Sequence, residues 1–305
     1  MTAHPDVWAT PADVPILIAG PTASGKSALA LALAERLGGR IVNADALQVH
    51  APWRVLTARP GPADERRAEH ALYGMAPWGA DFSVGDWLRA AAPLVAGGPR
   101  AIVVGGTGLY FRALTEGLAD IPPIPAALRR EGEDRLRARG LRAMAAELDP
   151  GTRASIDLAN PARVLRAWLV AAATGRSIRA WQAETPPPLL PTSRAAAFLL
   201  DAPPAWLAAR IADRAGAMLA GGAVEEARAV LPVWDPRVPA AKAIGAADLM
   251  AHLRGEIGLD HVRDRIVVAT RRYAKRQRTW FRARMGGWSR IDARAPASGF
   301  DKPGR

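Results

Sequence analysis

Apolar positions fall into short unbroken runs in the first third of the chain and into helical spacing further on. The run Val14-Pro15-Ile16-Leu17-Ile18-Ala19 predicts a strand buried on both faces. The alanine- and leucine-rich stretch 28–37 behind it predicts a helix. Residues 40–45, Arg-Ile-Val-Asn-Ala-Asp, predict a second short strand that ends in a carboxylate. Residues 46–82 read as irregular, and a helix is expected over 84–94. Residues 100–104 predict another buried strand, which Gly105-Gly106-Thr107-Gly108 turns into a helix from Leu109. Successive strand–loop–helix units imply an α/β fold built on a doubly wound parallel sheet. Ligands of such sheets gather at the carboxyl ends of the strands. Asp45, the glycine-rich loop after the first strand, and Thr107 all sit at such ends.

Proline punctuates the rest. Ile121-Pro122-Pro123-Ile124-Pro125 ends the alternation, and Pro186-Pro187-Pro188-Leu189-Leu190-Pro191 closes the charged helical stretch that follows. This predicts a helical insertion domain over 121–191, within a core made of 1–120 and 192–290. Residues 195–200 predict a return strand, with helices at 204–219, 222–231 and 260–285. Residues 1–12 read as a loose leader and 291–305, rich in Pro, Ala and Gly, as a disordered tail.

Composition narrows the classes. Half of the 305 residues are apolar, enough for a sizeable core, and cysteine is absent, which excludes disulfides and thiolate chemistry. No stretch approaches 18 uninterrupted apolar residues and no signal peptide is seen, so a cytoplasmic protein without membrane contact is expected. The net charge of +12 favours an anionic macromolecule as partner. Among 41 basic residues only Lys26, Lys242, Lys275 and Lys302 are lysines.

One of those lysines lies in Gly20-Pro21-Thr22-Ala23-Ser24-Gly25-Lys26-Ser27, which fits G-x-x-x-x-G-K-[ST] between a strand and a helix. Its backbone N–H groups and the helix N-terminus converge where a polyphosphate would bind. Asp45 suits either a Mg²⁺ ligand or general base, or a plain helix cap. Thr107 offers a hydroxyl beside glycines that allow close approach, or simply caps a turn. Arg210 and Arg214, four apart on a helix, suit a diphosphate clamp or a solvated face paired with acids. In 269–282 (Ala-Thr-Arg-Arg-Tyr-Ala-Lys-Arg-Gln-Arg-Thr-Trp-Phe-Arg), Arg271, Lys275, Arg278 and Arg282 form one basic helical stripe. Tyr273, Gln277 and Trp280 form an adjoining amphipathic one. Basic and aromatic residues so interleaved suit a nucleic-acid backbone with unstacked bases. Residues 160–167, Asn-Pro-Ala-Arg-Val-Leu-Arg-Ala, begin a further helix with arginines on nearby faces. Zinc-type histidine spacing and a Gly-x-Ser-x-Gly elbow are both absent.

In these blocks the chain resembles the tRNA dimethylallyltransferases, from about Ile16 to Arg282: GPTASGKS at 20, NADALQV at 43, VGGTGLY at 104, NPARVLRA at 160, TGRSI at 174, KAIG at 242 and ATRRYAKRQRTWFR at 269. The resemblance implies a monomeric transferase that moves a dimethylallyl group from dimethylallyl diphosphate to N6 of adenosine 37 in the tRNA anticodon stem-loop. It implies that Gly20, Pro21, Thr22, Ala23, Ser24, Gly25, Lys26 and Ser27 bind the diphosphate, with Mg²⁺ at Ser27, and that Arg214 and Arg210 neutralise the leaving group. Asp45 matches the general base, Thr107 the threonine between nucleophile and donor. Expected tRNA contacts are Asp45, Ala46, Leu47, Gln48 and Thr107; Arg129; Ala162, Arg163, Val164, Leu165 and Arg166; Lys242; and Arg271, Lys275, Arg276, Gln277, Arg278 and Arg282. Three segments depart from the family pattern: Ala46 stands where a serine is usual, 52–60 keeps only its Thr-Ala-basic-Pro end, and Ile244-Gly245-Ala246-Ala247 lacks a tyrosine and an arginine. The competing readings are a small-molecule P-loop kinase and a non-catalytic RNA-binding protein.

Overall fold

The computed structural model describes residues 7–295. A 3₁₀ turn at Val7–Ala9 precedes β1 (Ile16–Ala19), α1 (Lys26–Leu37), β2 (Arg40–Asn43), α2 (Pro62–Arg67), β3 (Glu69–Ala71), α3 (Val84–Ala96), β4 (Ala101–Gly105) and α4 (Gly108–Glu116). Then come α5 (Ala126–Ala146), interrupted at Gly140, α6 (Pro150–Ser155), α7 (Pro161–Thr174) and α8 (Ile178–Ala183). The chain continues with β5 (Ala196–Asp201), α9 (Pro204–Ala220), α10 (Ala223–Val230), α11 (Ala246–Leu253), α12 (Leu259–Arg284) and β6 (Ser289–Asp292). The described residues fall into two compact units, one within Met1–Thr115 and Leu189–Arg305, the other Glu116–Pro188.

The first unit is built on a six-stranded sheet, all parallel, in the order β3-β2-β4-β1-β5-β6. Its central strands are buried on both faces, which is why they read as continuous apolar runs. Side-chain alternation divides them cleanly. Leu17, Val42, Val103 and Leu199 pack with Trp87 of α3, Phe111 and Leu114 of α4 and Phe281 of α12. Ile16, Ile18, Ile41, Ile102 and Val104 pack with Leu29 and Leu33 of α1. Each such aliphatic side chain contributes about 2 kcal/mol by leaving water. A further cluster joins Trp53 and Leu56 to α10, α11 and Ile266 of α12. In the second unit, α5 and α7 pack through Met144, Val164, Ala167 and Val170.

The structure differs from expectation at the sheet's edges. The 46–82 stretch holds α2 and β3, and residues 291 and 292, expected in a loose tail, complete β6. Both edge strands are short and only partly buried, so neither carries the unbroken apolar run that marks the central strands. β6 is held by its ladder to β5 and by the Ala293 N–H bond to Asp201 O. Residues 1–6 of the expected leader and 296–305 of the expected tail lie outside the described residues.

β4 ends against β2 at atomic contact: a Cβ on Gly105 would lie 2.0 Å from the carbonyl oxygen of Ala44. Gly105→Ala should therefore lower stability by about 3 kcal/mol, seen as a fall in the urea midpoint at unchanged m. A midpoint within experimental error of the parent would show that the strand ends can separate freely.

Candidate active site

The loop between β1 and α1 wraps its own lysine. Ser24 N–H donates to Pro21 O (3.2 Å), and Lys26 Nζ reaches the same carbonyl at 3.4 Å. Ala23 and Gly25 both take positive φ, 64° and 87°, the coiling that turns successive N–H groups inward. Burial pulls the Lys26 ammonium down to about 8; Asp45 opposes the shift and Arg214 adds to it. Arg214 is likewise held below the usual guanidinium value, first by burial, with Asp45 opposing and Arg210 adding. Two cations thus face one pocket with a single carboxylate between them, an arrangement that favours an incoming anion.

Asp45 sits one turn beyond β2. Its Oδ1 accepts from Leu47 N–H (3.0 Å), so it caps a turn; no helix follows it. Thr107 lies opposite: its Oγ1 accepts from Ala46 N–H (2.9 Å) and its N–H donates to Ala44 O (3.1 Å). The turn after β4 and the turn after β2 are therefore cross-linked through backbone. All three tyrosines of the chain, Tyr73, Tyr110 and Tyr273, have phenols pushed up by burial and, secondarily, by the Asp45 carboxylate. Tyr273 also shares hydrogen bonds with the side chains of Thr107 and Gln277.

Gln277 binds these pieces together. It is only 5% exposed; its Oε1 accepts from Thr22 N–H of the phosphate loop and its Nε2 donates to Gly106 O, both at 2.9 Å. A Cβ on Gly106 would lie 2.2 Å from that Nε2, and one on Gly108 would lie 2.2 Å from the Trp280 ring. The glycines of the Gly-Gly-Thr-Gly turn thus admit α12.

The pocket enclosed by these elements is amphipathic. Thr22, Lys26, Ser27, Asp45 and Arg214 form its polar end, and Leu56, Ile211, Ala215, Met218, Ile244 and Ile266 its apolar wall. Arg214 Nη2 donates to Thr57 O (3.2 Å). Gln48 Nε2 donates to Thr57 O and Ala58 O, and Glu226 accepts from Arg54, Val55 and Leu56 N–H. These contacts hold the divergent 52–60 segment as a wall of the pocket, with Trp53 as its buried anchor. Glu226 did not stand out in the sequence, and Tyr273, read there as part of a nucleic-acid-facing stripe, instead lines the pocket.

Other expected residues scatter. Arg210 lies outside the pocket lining; its Nε donates to Ala23 O (2.9 Å) and its guanidinium covers the Trp206 ring. Lys242, Arg271, Lys275, Arg276 and Arg282 are exposed, and Ala46, Leu47 and Gln48 are half-buried beside Asp45. Gln277 is buried and not on the exposed basic face: its amide already accepts from Thr22 N–H and donates to Gly106 O. Tyr273 and Trp280 likewise point inward, because their helical register follows the buried seam of Ile266, Ala274 and Phe281. In the helical unit, Val164 is a correction, fully buried in the α5–α7 core. Leu165 is half-buried in the same packing, whereas Arg129, Ala162, Arg163 and Arg166 are exposed. Arg166 is held below its usual value by partial burial and by Arg129, which places two guanidinium groups close together.

Among the described residues no cluster of three or more His, Asp or Glu could hold a metal, and no helix is long and apolar enough to cross a membrane. The donor set instead suits a cation bound chiefly to phosphate oxygens: the Ser27 hydroxyl is exposed in the pocket at the first turn of α1.

The chain matches the model of the IPP transferase family over residues 48–284. It is 60% identical over 290 residues to a tRNA dimethylallyltransferase of Dinoroseobacter shibae, covering 94% of this chain and 97% of that protein. It is 55% identical to one from Ruegeria sp., covering 95% and 99%. Among solved structures, a tRNA isopentenylpyrophosphate transferase from Bacillus halodurans superposes with a TM-score of 0.65 at 28% identity, covering 92% of this chain and 90% of that one. A eukaryotic dimethylallyltransferase acting on tRNA shares the fold, with a TM-score of 0.78 at 23% identity over 94% of this chain and 75% of that one.

The depressed Lys26 value carries a pH signature. Below about pH 7 the ammonium is already charged and meets a polyanion without proton uptake. As pH rises through 8 the empty site loses that proton, so binding must recover it. Affinity for inorganic pyrophosphate should fall about tenfold per pH unit above 8, and calorimetry in buffers of different ionisation enthalpy should register the uptake. Affinity flat from pH 7 to 9.5 would remove Lys26 from the anion site.

Proposed function

The chain belongs to the IPP transferase family, whose relatives of known name transfer a dimethylallyl group to tRNA, and on that premise we propose how this chain performs the same transfer. The donor is dimethylallyl diphosphate, and the acceptor is N6 of adenosine 37 in the anticodon loop. The observation that carries this reading is the amphipathic pocket: a phosphate loop with Lys26 and Arg214 at one end, an aliphatic wall at the other. An alkyl diphosphate has that same division. A P-loop kinase would need no such wall, and an RNA-binding protein would need no phosphate loop.

The chemistry is a displacement at an allylic carbon. The N6–C1 bond forms as the C1–O bond breaks, and the bonding pair leaves with the diphosphate. Allylic carbon tolerates developing positive charge, so stabilising the leaving group and positioning the nucleophile carry most of the catalysis. Lys26, Arg214 and the loop N–H groups receive the negative charge. Arg210 acts on the loop from outside by holding the Ala23 carbonyl. Asp45 accepts the N6 proton, and its capped turn fixes the carboxylate. Thr107, pinned by Ala46 N–H, holds its hydroxyl between donor and acceptor sides. A divalent cation, Mg²⁺ in this reading, would be held by Ser27 and the diphosphate and would further neutralise the leaving group. The adenine enters unstacked from a single-stranded loop, which keeps its extraction cheap.

The exposed cations of α12, with Lys242, provide the electrostatic contact to tRNA in the first unit. Arg129, Arg163 and Arg166 provide it in the helical unit, which serves as an insertion within the catalytic core. The working form is a cytoplasmic monomer.

The purified protein, unmodified tRNA, Mg²⁺ and dimethylallyl diphosphate should together yield a C5H8 increment on adenosine, read by mass spectrometry of the digested tRNA. The increment should vanish in Lys26→Ala. Asp45→Ala should cut turnover about a hundredfold or more while leaving tRNA affinity within a few-fold. Equal losses in both would sink the base assignment, and ATP-dependent phosphorylation without an increment would favour the kinase.

A further inference from the structure

Helix α9 lines the reaction pocket with Ile211, Arg214, Ala215 and Met218, at intervals of three and four along one face. Arg214 marks the diphosphate end of that stripe. Met218 stands one turn further along, a rise of about 6 Å at ~1.5 Å per residue. We infer that Met218 closes the apolar end of the pocket at the depth of one isoprene unit and so limits the donor to a five-carbon chain. The inference rests on the proposed transfer from an alkyl diphosphate.

The length of the alkyl group matches this depth. A dimethylallyl chain runs through three carbon–carbon bonds from C1 to a terminal methyl, about 4 Å at ~1.5 Å per bond. A further isoprene unit adds four bonds, about 5 Å more, and would drive its carbons into Met218.

The direction of the chain follows from packing. Ile211, one turn to the other side of Arg214, is 2% exposed and packs with Ala23 of the phosphate loop, so it backs the loop. Met218 packs instead on the cluster that holds Leu56, Ala215 and Ile266, which are themselves part of the apolar wall. That side of the pocket has little room to yield. A Cβ on Gly245 would lie 2.7 Å from Ile266 Cδ1 and 3.3 Å from Leu56 Cδ1, so both side chains already lie against backbone. The Glu226 carboxylate holds the N–H groups of Arg54, Val55 and Leu56, which keeps Leu56 in place. Met218 is half-buried, and its unbranched thioether is the adjustable member of this group. It carries no charge and no strong hydrogen-bonding group, so it selects by shape alone.

The test gives the full-length protein unmodified tRNA, Mg²⁺ and either dimethylallyl or geranyl diphosphate, and reads the adenosine increment by mass spectrometry. The parent should transfer C5H8 and discriminate against C10H16 by about a hundredfold in kcat/KM. Met218→Ala should narrow that ratio by about tenfold or more through a gain of geranyl transfer. Its dimethylallyl KM should rise several-fold with kcat within about twofold, the mark of lost uniform binding. A residue that only held the fold together would lower transfer of both donors and leave their ratio alone. Met218→Phe should widen the ratio, and Met218→Leu, of similar volume, should keep the parental one. The alanine and phenylalanine variants act in opposite directions, so a folding defect in one leaves the other to decide. An unchanged donor ratio in both would overturn the inference, as would a parent that uses the two donors equally well. Gain of geranyl transfer in Ile211→Ala but not in Met218→Ala would place the end of the pocket at the opposite turn of α9 and overturn it too. Parent protein that transfers the dimethylallyl group while the variants keep its donor ratio refutes the length limit alone. Parent protein that transfers neither group refutes the functional reading with it.

Discussion

One amide side chain sets the geometry on which the site depends. Gln277 offers an acceptor to the phosphate loop and a donor to the Gly-Gly-Thr turn, and both bonds are made in the dry interior. Deleting the amide would strand a buried N–H and a buried C=O, each costing about 1–3 kcal/mol. Its reach fixes the distance between loops after β1 and β4, which are adjacent strands. It also fixes how closely α12 approaches them, and that approach forbids a Cβ at Gly106 and Gly108. The glycines, the glutamine and the tryptophan are therefore one constraint written in three places along the chain.

The sequence made legible whatever local chemistry dictates. β1, α1 and the phosphate loop are short-range features, and their order alone implies a parallel sheet. The basic run of α12 was readable as a helix. Its internal division was not, because a polar residue inside a basic run reads as surface. The signal lay in the spacing: Val262, Ile266, Ala274, Gln277 and Phe281 form one buried seam at helical intervals, and Gln277 falls within it. Val164 was misread for a similar reason, since the arginines on either side of it mask a position that packs against α5. The edge strands β3 and β6 gave too little apolar sequence to be seen. The hold of Glu226 on the 54–56 backbone spans about 170 residues, and no local pattern encodes it.

The divergent 52–60 segment shows how a wall can be kept while its sequence changes. Three N–H groups converge on one Glu226 carboxylate, and Trp53 Nε1 donates to Ala240 O from a fully buried ring. Gln48 then closes the segment onto Thr57 and Ala58. Backbone N–H groups on a carboxylate make no demand on side-chain identity, so the segment can vary while Thr57 and Leu56 still face the pocket. Ala46 fits the same logic, because the contact it supplies to Thr107 is its backbone N–H, which any residue but proline provides.

The faces of α12 divide the electrostatic work by solvent access. Its exposed outer cations are screened beyond about 8 Å at physiological ionic strength, which suits capture of a polyanion that must also be released. Lys26 and Arg214, which its inner face helps enclose through Ile266, Thr270 and Tyr273, are desolvated, so their field on any anion in the pocket is little screened. Gln277 is neutral at the boundary between the two. A lysine or arginine there would add a third buried cation to Lys26 and Arg214, and a glutamate would cancel part of their field. An amide alone meets an N–H and a C=O together without altering the charge of the pocket. The same residue that fixes the geometry thus adds no charge between the exposed cations and the desolvated ones.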